Sequence, residues 1–138
     1  MRKFILVVLL SIPILSFASE TPLVEEFIKL SDATKVKGAS QKDIDAVAAL
    51  LAEDMRYQHQ NYNADLSKEQ FIQGLANYMG VADSLTSKIT NKIVGDKAVT
   101  VSFISTTVMD GSTETDAKPL MRLFEINNGK ISLIREYW

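Results

Sequence analysis

Residues 43–59 read DIDAVAALLAEDMRYQH. The first part carries apolar side chains at helical spacing, and from Met55 onward the side chains alternate with the period of two that is typical of a strand. This alternation puts Met55, Tyr57 and His59 on one face of the strand. His59 is the only histidine in the protein, and histidine is the residue type that most readily exchanges a proton near neutral pH. His59 is therefore the first candidate for acid or base chemistry.

Helix signals stand on both sides of this strand. A threonine and a proline open residues 21–37, an order that places a capping residue before proline at the first helical position. Ser40 caps a second helix, which leads into the strand. After a predicted loop over residues 61–65, the capping box of residues 67–70 starts a third helix that runs to about Met79.

Four segments rich in β-branched residues follow the third helix, and none contains a helical stripe. Tight-turn pairs that contain glycine or asparagine separate them, so they predict an antiparallel meander. Pro119 lies inside the third segment, where it implies an edge strand, a bulge or a late start of the strand. Helices followed by strands predict one α+β domain. The segments are residues 85–94, 97–109, 113–126 and 130–138.

The first eighteen residues have the features of an export signal. Arg2 and Lys3 form a positive end, residues 4–17 are apolar, and small residues precede a cleavage site after Ala18. The apolar run is too short for a helix that spans a bilayer core of roughly 30 Å, so it predicts a removable signal and no stable membrane anchor. The mature domain would then comprise residues 19–138 and act in the periplasm or the medium.

Composition narrows the classes of partner. Without the signal, 13 basic side chains stand against 17 acidic ones, a net charge of −4 that argues against nucleic acid as a partner. With one histidine and no cysteine, the chain offers few ligands for a transition metal, and no metal site is predicted. No glycine-rich phosphate loop precedes a helix and no nucleophile elbow is present, so no cofactor is predicted.

The order of these elements resembles the nuclear transport factor 2-like superfamily, which includes SnoaL-like, ketosteroid-isomerase-like and limonene-epoxide-hydrolase-like proteins. The resemblance is carried by residues 43–54 with the Tyr57 and His59 strand, by residues 67–75 and by residues 128–138. It implies a conical fold in which three N-terminal helices pack on a curved, mostly antiparallel sheet and enclose a pocket. It also implies a homodimer that forms through the sheet, a state that solution scattering tests.

The same resemblance implies which residues face the pocket. His59 falls where ketosteroid isomerases carry their catalytic base, and Glu136 falls close to a catalytic carboxylate of the epoxide hydrolases, so these two are the catalytic candidates. Arg122 and Arg135 fall on the opposite strand phase and are expected to face solvent or an interface. The expected pocket walls are Tyr57, Val101, Phe103, Ser105, Met121, Leu123, Ile134 and Trp138.

Departures from both enzyme patterns are as informative as the matches. Met121 occupies the position of an oxyanion donor of the isomerases, and the first helix contains no tyrosine. The long strand of residues 97–109 contains neither the arginine nor the aspartate that the epoxide hydrolases use. Neither named reaction is therefore transferred to this chain.

Three functions remain open on the sequence. The first is binding of a small, largely apolar molecule in an apolar pocket that contains a few polar groups. The second is a cofactor-independent isomerase, lyase or cyclase in which His59 transfers a proton. The third is a protein-interaction or dimerisation module, whose sheet face would carry Thr100, Ser102, Ile104, Thr106 and Val108.

Overall fold

The computed structural model describes residues 20–138, and the predicted signal of residues 1–18 lies outside them. Three helices pack on a curved sheet of seven strands, which confirms the α+β class. No helix among residues 20–138 is long and apolar enough to cross a membrane. The helices are α1 (Glu20–Thr34), α2 (Gln41–Ala48) and α3 (Lys68–Asn77), and a short 3-10 turn spans Gln60–Tyr62. The strands are β1 (Leu51–His59), β2 (Ala64–Ser67), β3 (Ser84–Gly95), β4 (Ala98–Met109), β5 (Ser112–Thr115), β6 (Leu120–Asn127) and β7 (Lys130–Tyr137).

Strand order explains how distant parts of the chain meet. The sheet runs β2-β1-β7-β6-β4-β3, and β5 pairs with β4 beside this path. Every strand pair is antiparallel except β1 with β7, which are parallel and place His59 directly opposite Glu136. The last strand therefore lies next to the first, at the end of the sheet where the candidate residues gather.

Three predicted segments differ from the structure. The second helix ends at Ala48, and β1 begins at Leu51 instead of Met55. The loop expected over residues 61–65 contains the start of β2, whose Asp65 accepts a hydrogen bond from Arg56 Nε at 3.0 Å. The strand expected over residues 113–126 is divided into β5 and β6, because Pro119 has no N–H to donate and β6 starts only after it. In the gap, Asp116 bonds to the backbone of Ser105 through both its N–H and its carboxylate.

The core lies between the helices and the concave face of the sheet. Phe27 of α1 meets the edge of Phe124 of β6 at a ring distance of 5.5 Å and stacks with Phe71 of α3 at 6.3 Å. These rings join two helices to the sheet, because aromatic side chains bury large apolar areas. Side chains with less than 2% exposure beside them include Met55, Val99, Val101, Phe103, Ile131 and Ile134.

The third helix begins where its capping box predicts. Ser67 Oγ accepts a hydrogen bond from the Gln70 N–H at 3.3 Å, and Gln70 Oε1 accepts one from the Ser67 N–H at 2.9 Å. Two backbone donors at the start of α3 are thus satisfied within the helix itself. This local closure holds α3 over one wall of the cavity described next.

Candidate functional site

A cavity of about 500 Å³ opens between α1, α3 and the ends of β1, β6 and β7. Its walls are mainly aromatic and aliphatic, with a few polar side chains among them. The residues that line it are Phe27, Ser31, Lys35, Tyr57, His59, Tyr62, Leu66, Phe71, Gly74, Leu75, Tyr78, Arg122, Glu136 and Trp138. Four of the residues predicted for the site, His59, Glu136, Tyr57 and Trp138, therefore meet at one cavity.

Two other concave regions have comparable volume but a different character. One of about 550 Å³ lies between α1 and β3, and one of about 640 Å³ lies beside α2 and α3. Exposed lysine and acidic side chains form much of their lining. Among residues 20–138, neither region contains a buried polar side-chain atom that lacks a partner, whereas the first cavity does.

Ser31 and His59 carry the unpartnered polar atoms. Within the part of the chain that the structure describes, the buried side-chain atoms without a hydrogen-bond partner are Ser31 Oγ, His59 Nδ1 and His59 Nε2. His59 is 3% exposed and Ser31 is 7% exposed. A buried polar group left unsatisfied costs about 1–3 kcal/mol, and such groups in native proteins usually meet a ligand or an ordered water. Both residues line the same cavity, so the three unpartnered atoms lie in or directly behind its wall.

Aromatic contacts hold the His59 ring in place without using its nitrogens. The ring lies 4.4 Å from that of Tyr62 and 4.9 Å from that of Trp138, the latter at an interplanar angle of 86°. Asn61 donates a hydrogen bond to the backbone oxygen of Trp138 and so ties the last residue to the turn after β1. The imidazole is therefore positioned by packing, and neither of its nitrogens bonds to another group of the described residues.

Glu136 lies at the centre of a buried polar network beside His59. Its Oε1 accepts a hydrogen bond from Arg122 Nε at 2.5 Å, and its Oε2 accepts one from the Tyr57 hydroxyl at 2.6 Å. Burial raises the pKa of Tyr57, and the charge and hydrogen bond of Glu136 raise this pKa further. Tyr57 therefore remains a protonated donor, and the carboxylate of Glu136 is fixed by two charge-assisted contacts.

The position of Arg122 corrects the predicted phase of its strand. The sequence placed Met121 and Leu123 on the pocket wall and Arg122 outside, but Arg122 lines the cavity and Met121 is 39% exposed. The reason is register, since β6 begins after Pro119 and pairs Arg122 with Val101 on one side and with Glu136 on the other. Neighbouring strands point paired side chains to the same face, so Arg122 shares the inner face.

Arg122 also contacts aromatic rings in the wall. Its guanidinium carbon lies 4.6 Å from the centre of the Phe103 ring and 5.4 Å from that of Trp138. A cation over aromatic faces is stabilised by the ring quadrupole. Arg135, in contrast, lies on the outer phase as expected, where its Nε donates to Gln58 Oε1 at 2.9 Å.

The other predicted wall residues lie outside the cavity lining. Val101, Phe103 and Ile134 are buried in the core, and Leu123 is only partly buried on the other side of β6. The hydroxyl of Ser105 shares a hydrogen bond of 3.0 Å with that of Ser87 on β3. The sequence therefore predicts correctly that Val101, Phe103 and Ile134 point inward. Their side chains pack in the core, however, and do not face the open cavity.

The first helix supplies cavity residues that the sequence reasoning missed. Phe27, Ser31 and Lys35 follow one another at intervals of four, so they lie along one face of α1 and its C-terminal turn. A serine and a lysine in the inward stripe of an amphipathic helix were the available signal. Burial lowers the pKa of Lys35, and the charge of Arg122 lowers this pKa further.

The chemistry of the site is that of hydrogen bonding and proton transfer. His59 can donate and accept, Ser31 has a free hydroxyl, and Glu136 is a fixed carboxylate next to them. Among residues 20–138 there is no group of three or more histidine, cysteine or acidic side chains arranged to hold a metal ion.

Comparisons with known proteins agree with this architecture. The family model for the SnoaL-like domain matches residues 36–134. No curated protein matches the sequence.

Solved structures share the fold at low sequence identity. A limonene-epoxide-hydrolase-like epoxide hydrolase of Mycobacterium tuberculosis is 20% identical with a TM-score of 0.66, over 84% of this chain and 79% of that one. A protein with a ketosteroid-isomerase-like fold from Catenulispora acidiphila, in complex with trimethylamine, is 18% identical with a TM-score of 0.64, over 84% of each chain. An uncharacterised cystatin-fold protein of Novosphingobium aromaticivorans is 15% identical with a TM-score of 0.64, over 85% of this chain and 96% of that one.

These likenesses concern the fold, and the family match covers most of the chain. The superfamily includes small-molecule-binding proteins and enzymes of the isomerase and hydrolase types. The chain belongs to the SnoaL-like domain family, within the nuclear transport factor 2-like superfamily.

Proposed function

We propose that this domain binds one small, largely apolar molecule in the cavity between α1, α3 and the sheet. The observation that carries the proposal is the set of unpartnered buried atoms, Ser31 Oγ and both ring nitrogens of His59, in the lining of one cavity. A volume of about 500 Å³ suits a small ligand, and apolar walls with a few polar groups are the usual composition of such sites.

The polar atoms set how the ligand lies. A carbonyl or hydroxyl oxygen near His59 would satisfy a ring nitrogen, and the Ser31 hydroxyl would satisfy a second polar atom towards α1. The apolar part of the ligand then packs on Phe71, Leu75 and Tyr57, which line the remaining wall. Hydrogen bonds thus give orientation, and burial of apolar surface gives most of the affinity.

Replacing His59 by leucine tests the proposal by separating stability from binding. In ligand-free protein prepared by unfolding and refolding, His59→Leu should raise the free energy of unfolding by about 1–3 kcal/mol, because it removes two buried unsatisfied nitrogens. The same variant should lose any molecule that the wild type retains when it is purified from its native cell. Urea titration and native mass spectrometry measure the two effects.

His59→Gln is the matched control, because an amide keeps one donor and one acceptor at the same place. It should retain more of the ligand than His59→Leu and should gain less stability. The proposal would be contradicted by a leucine variant that is strongly destabilised, or by equal retention of the ligand in all three proteins.

An enzymatic alternative has one specific observation in its favour. His59 stands opposite Glu136 in the parallel pair of β1 and β7, and Arg122 and Tyr57 hold that carboxylate in place. The epoxide hydrolases use an arginine on the long strand, which β4 lacks. Here Arg122 of the neighbouring strand β6 contacts the carboxylate of Glu136 instead. A cofactor-independent isomerase, lyase or cyclase could use His59 for proton transfer, a contribution of roughly 10² to 10⁴-fold in rate.

The same mass spectra separate binding from turnover. A binding protein retains one unmodified molecule in wild type and in His59→Gln alike. An enzyme instead accumulates a substrate on the His59 variant that differs in mass or in chromatographic mobility from what the wild type retains.

Export is part of the proposal and rests on the composition of residues 1–18. Cleavage after Ala18 would release a domain that begins at Ser19. We expect the intact mass of protein recovered from the periplasm or the medium to correspond to residues 19–138. A mass that includes the apolar run would contradict cleavage.

A further inference from the structure

Lys35 is a cation in the cavity wall with no anion of its own. It follows the last residue of α1, is only partly exposed and lines the same cavity as His59. Among residues 20–138 its ammonium group makes no hydrogen bond or ion pair, and the acidic groups Asp32 and Glu136 act on it only from a distance. Its Nζ is not among the buried atoms that lack a partner, so a bound molecule can reach it. An opposite charge beside it in a largely apolar cavity is favourable, because the local dielectric constant is lower than that of water.

The two acidic groups whose charges act on Lys35 already accept hydrogen bonds from other residues. Asp32 accepts hydrogen bonds from the Ser87 N–H at 2.7 Å and from the Ser87 hydroxyl at 3.0 Å, which hold it on β3. Each oxygen of Glu136 accepts a hydrogen bond, one from Arg122 and one from Tyr57. Neither carboxylate forms an ion pair with Lys35, so their charges act on its ammonium group only at longer range.

The charged side chains that line the cavity also single out Lys35. Its lining contains two permanently or normally cationic side chains, Lys35 and Arg122, and one carboxylate, Glu136. Arg122 pairs with Glu136, so Lys35 is the charged side chain of the lining that has no partner of its own among the described residues. Ser31, whose hydroxyl is buried and unpartnered, lies one helical turn before Lys35 on the same face.

We propose that the molecule bound in this cavity is an apolar acid, whose carboxylate pairs with the ammonium group of Lys35 and accepts a hydrogen bond from the hydroxyl of Ser31. This inference rests on the proposed function, because it names the chemical class of ligand for that same cavity. The apolar part of the acid lies along Phe27 and Phe71, away from the polar end of the site.

Matched acids and alcohols test the charge requirement. Trp138 is the only tryptophan and lines the cavity, so its fluorescence reports occupancy. We would titrate the protein with the straight-chain acids from hexanoate to dodecanoate and with the primary alcohols of the same lengths, neither of which absorbs where tryptophan emits. For the chain lengths that bind, the acid should bind roughly tenfold to a hundredfold more tightly than its alcohol, the usual value of a hydrogen bond to a charged group.

Two lysine variants test whether the preference for acids over alcohols depends on Lys35. Lys35→Met should abolish the advantage of the acid while leaving the affinity for the alcohol unchanged, and it should unfold at a urea concentration no lower than that of wild type. Lys37→Met is the control, since Lys37 pairs with Asp83 at the surface, lies outside this cavity and changes the net charge of the protein equally. This control should keep the full preference for the acid.

The outcomes distinguish this inference from the proposed function. Alcohols that bind as tightly as acids would overturn the acidic ligand and leave an apolar binding site standing. A preference for acids that survives in Lys35→Met would overturn the assignment to Lys35. If no acid or alcohol of any length binds, the inference is overturned, whereas the proposed function is overturned only if native mass spectrometry also finds no retained molecule.

Discussion

Arg122→Met is expected to destabilise the domain by about 3–5 kcal/mol, because it leaves the carboxylate of Glu136 buried without its cation. The side chains of Arg122 and Glu136 are only 14% and 6% exposed, and their contact is 2.5 Å long. The substitution also removes the guanidinium from the faces of Phe103 and Trp138. Urea unfolding followed by circular dichroism measures the change.

Two controls separate an uncompensated charge from a simple loss of packing. The double variant Arg122→Met with Glu136→Gln should recover much of the loss, since it removes both charges together and keeps an acceptor for Tyr57. Arg56→Met breaks a pair with Asp65 whose side chains are 45% and 55% exposed, and it should cost only about 0–1 kcal/mol. Equal costs for Arg122→Met and Arg56→Met would refute the buried-pair argument.

Phe124→Ala is expected to cost about 3–5 kcal/mol, because the phenyl ring fills the centre of the core and its loss leaves a void. Phe124 has 0% exposure and packs edge-on against Phe27, one of the residues through which α1 contacts the sheet. The variant should also weaken binding at the cavity, since Phe27 forms part of its wall. The unfolding midpoint and the affinity of the best-binding acid report the two effects.

Ile93→Ala is the matched control for this experiment. Ile93 also lies on a strand but is 67% exposed, so its truncation should change stability by no more than about 0.5 kcal/mol. Phe124→Leu should fall between wild type and Phe124→Ala, because leucine fills part of the void. A loss of less than about 1 kcal/mol for Phe124→Ala would show that the core collapses around the gap.

Local signals predicted the element types well for a clear reason. The capping box at Ser67, the alternation through Tyr57 and His59, and the break at Pro119 each depend on side chains within a few residues of one another. Such interactions act before the chain folds globally, so the sequence displays them directly. The short strand β2 was not predicted, because its four residues have no apolar alternation of their own and form a strand only by pairing with β1.

The candidate site was predicted less completely than the fold. His59, Tyr57, Glu136 and Trp138 reach one cavity, but the phase of β6 was wrong and Arg122 was placed outside. Which face of β6 points inward depends on its register with β4 and β7, and a shift of one residue exchanges the faces. Lys35 and Ser31 were missed because a single helix pattern does not show what its inward polar residues meet.

By itself, the sequence determined the α+β class, the three helices and the strand that presents Tyr57 and His59, because capping, turn chemistry and hydrophobic period are local properties of the chain. Only the tertiary structure decided that β1 lies parallel to β7, which brings His59 beside Glu136, and that Arg122 rather than Met121 faces inward. These are contacts between residues some eighty positions apart or questions of register. They follow from how the whole core packs, so the free charge of Lys35 and the unpartnered atoms of Ser31 and His59 become visible only when the walls of the cavity are assembled.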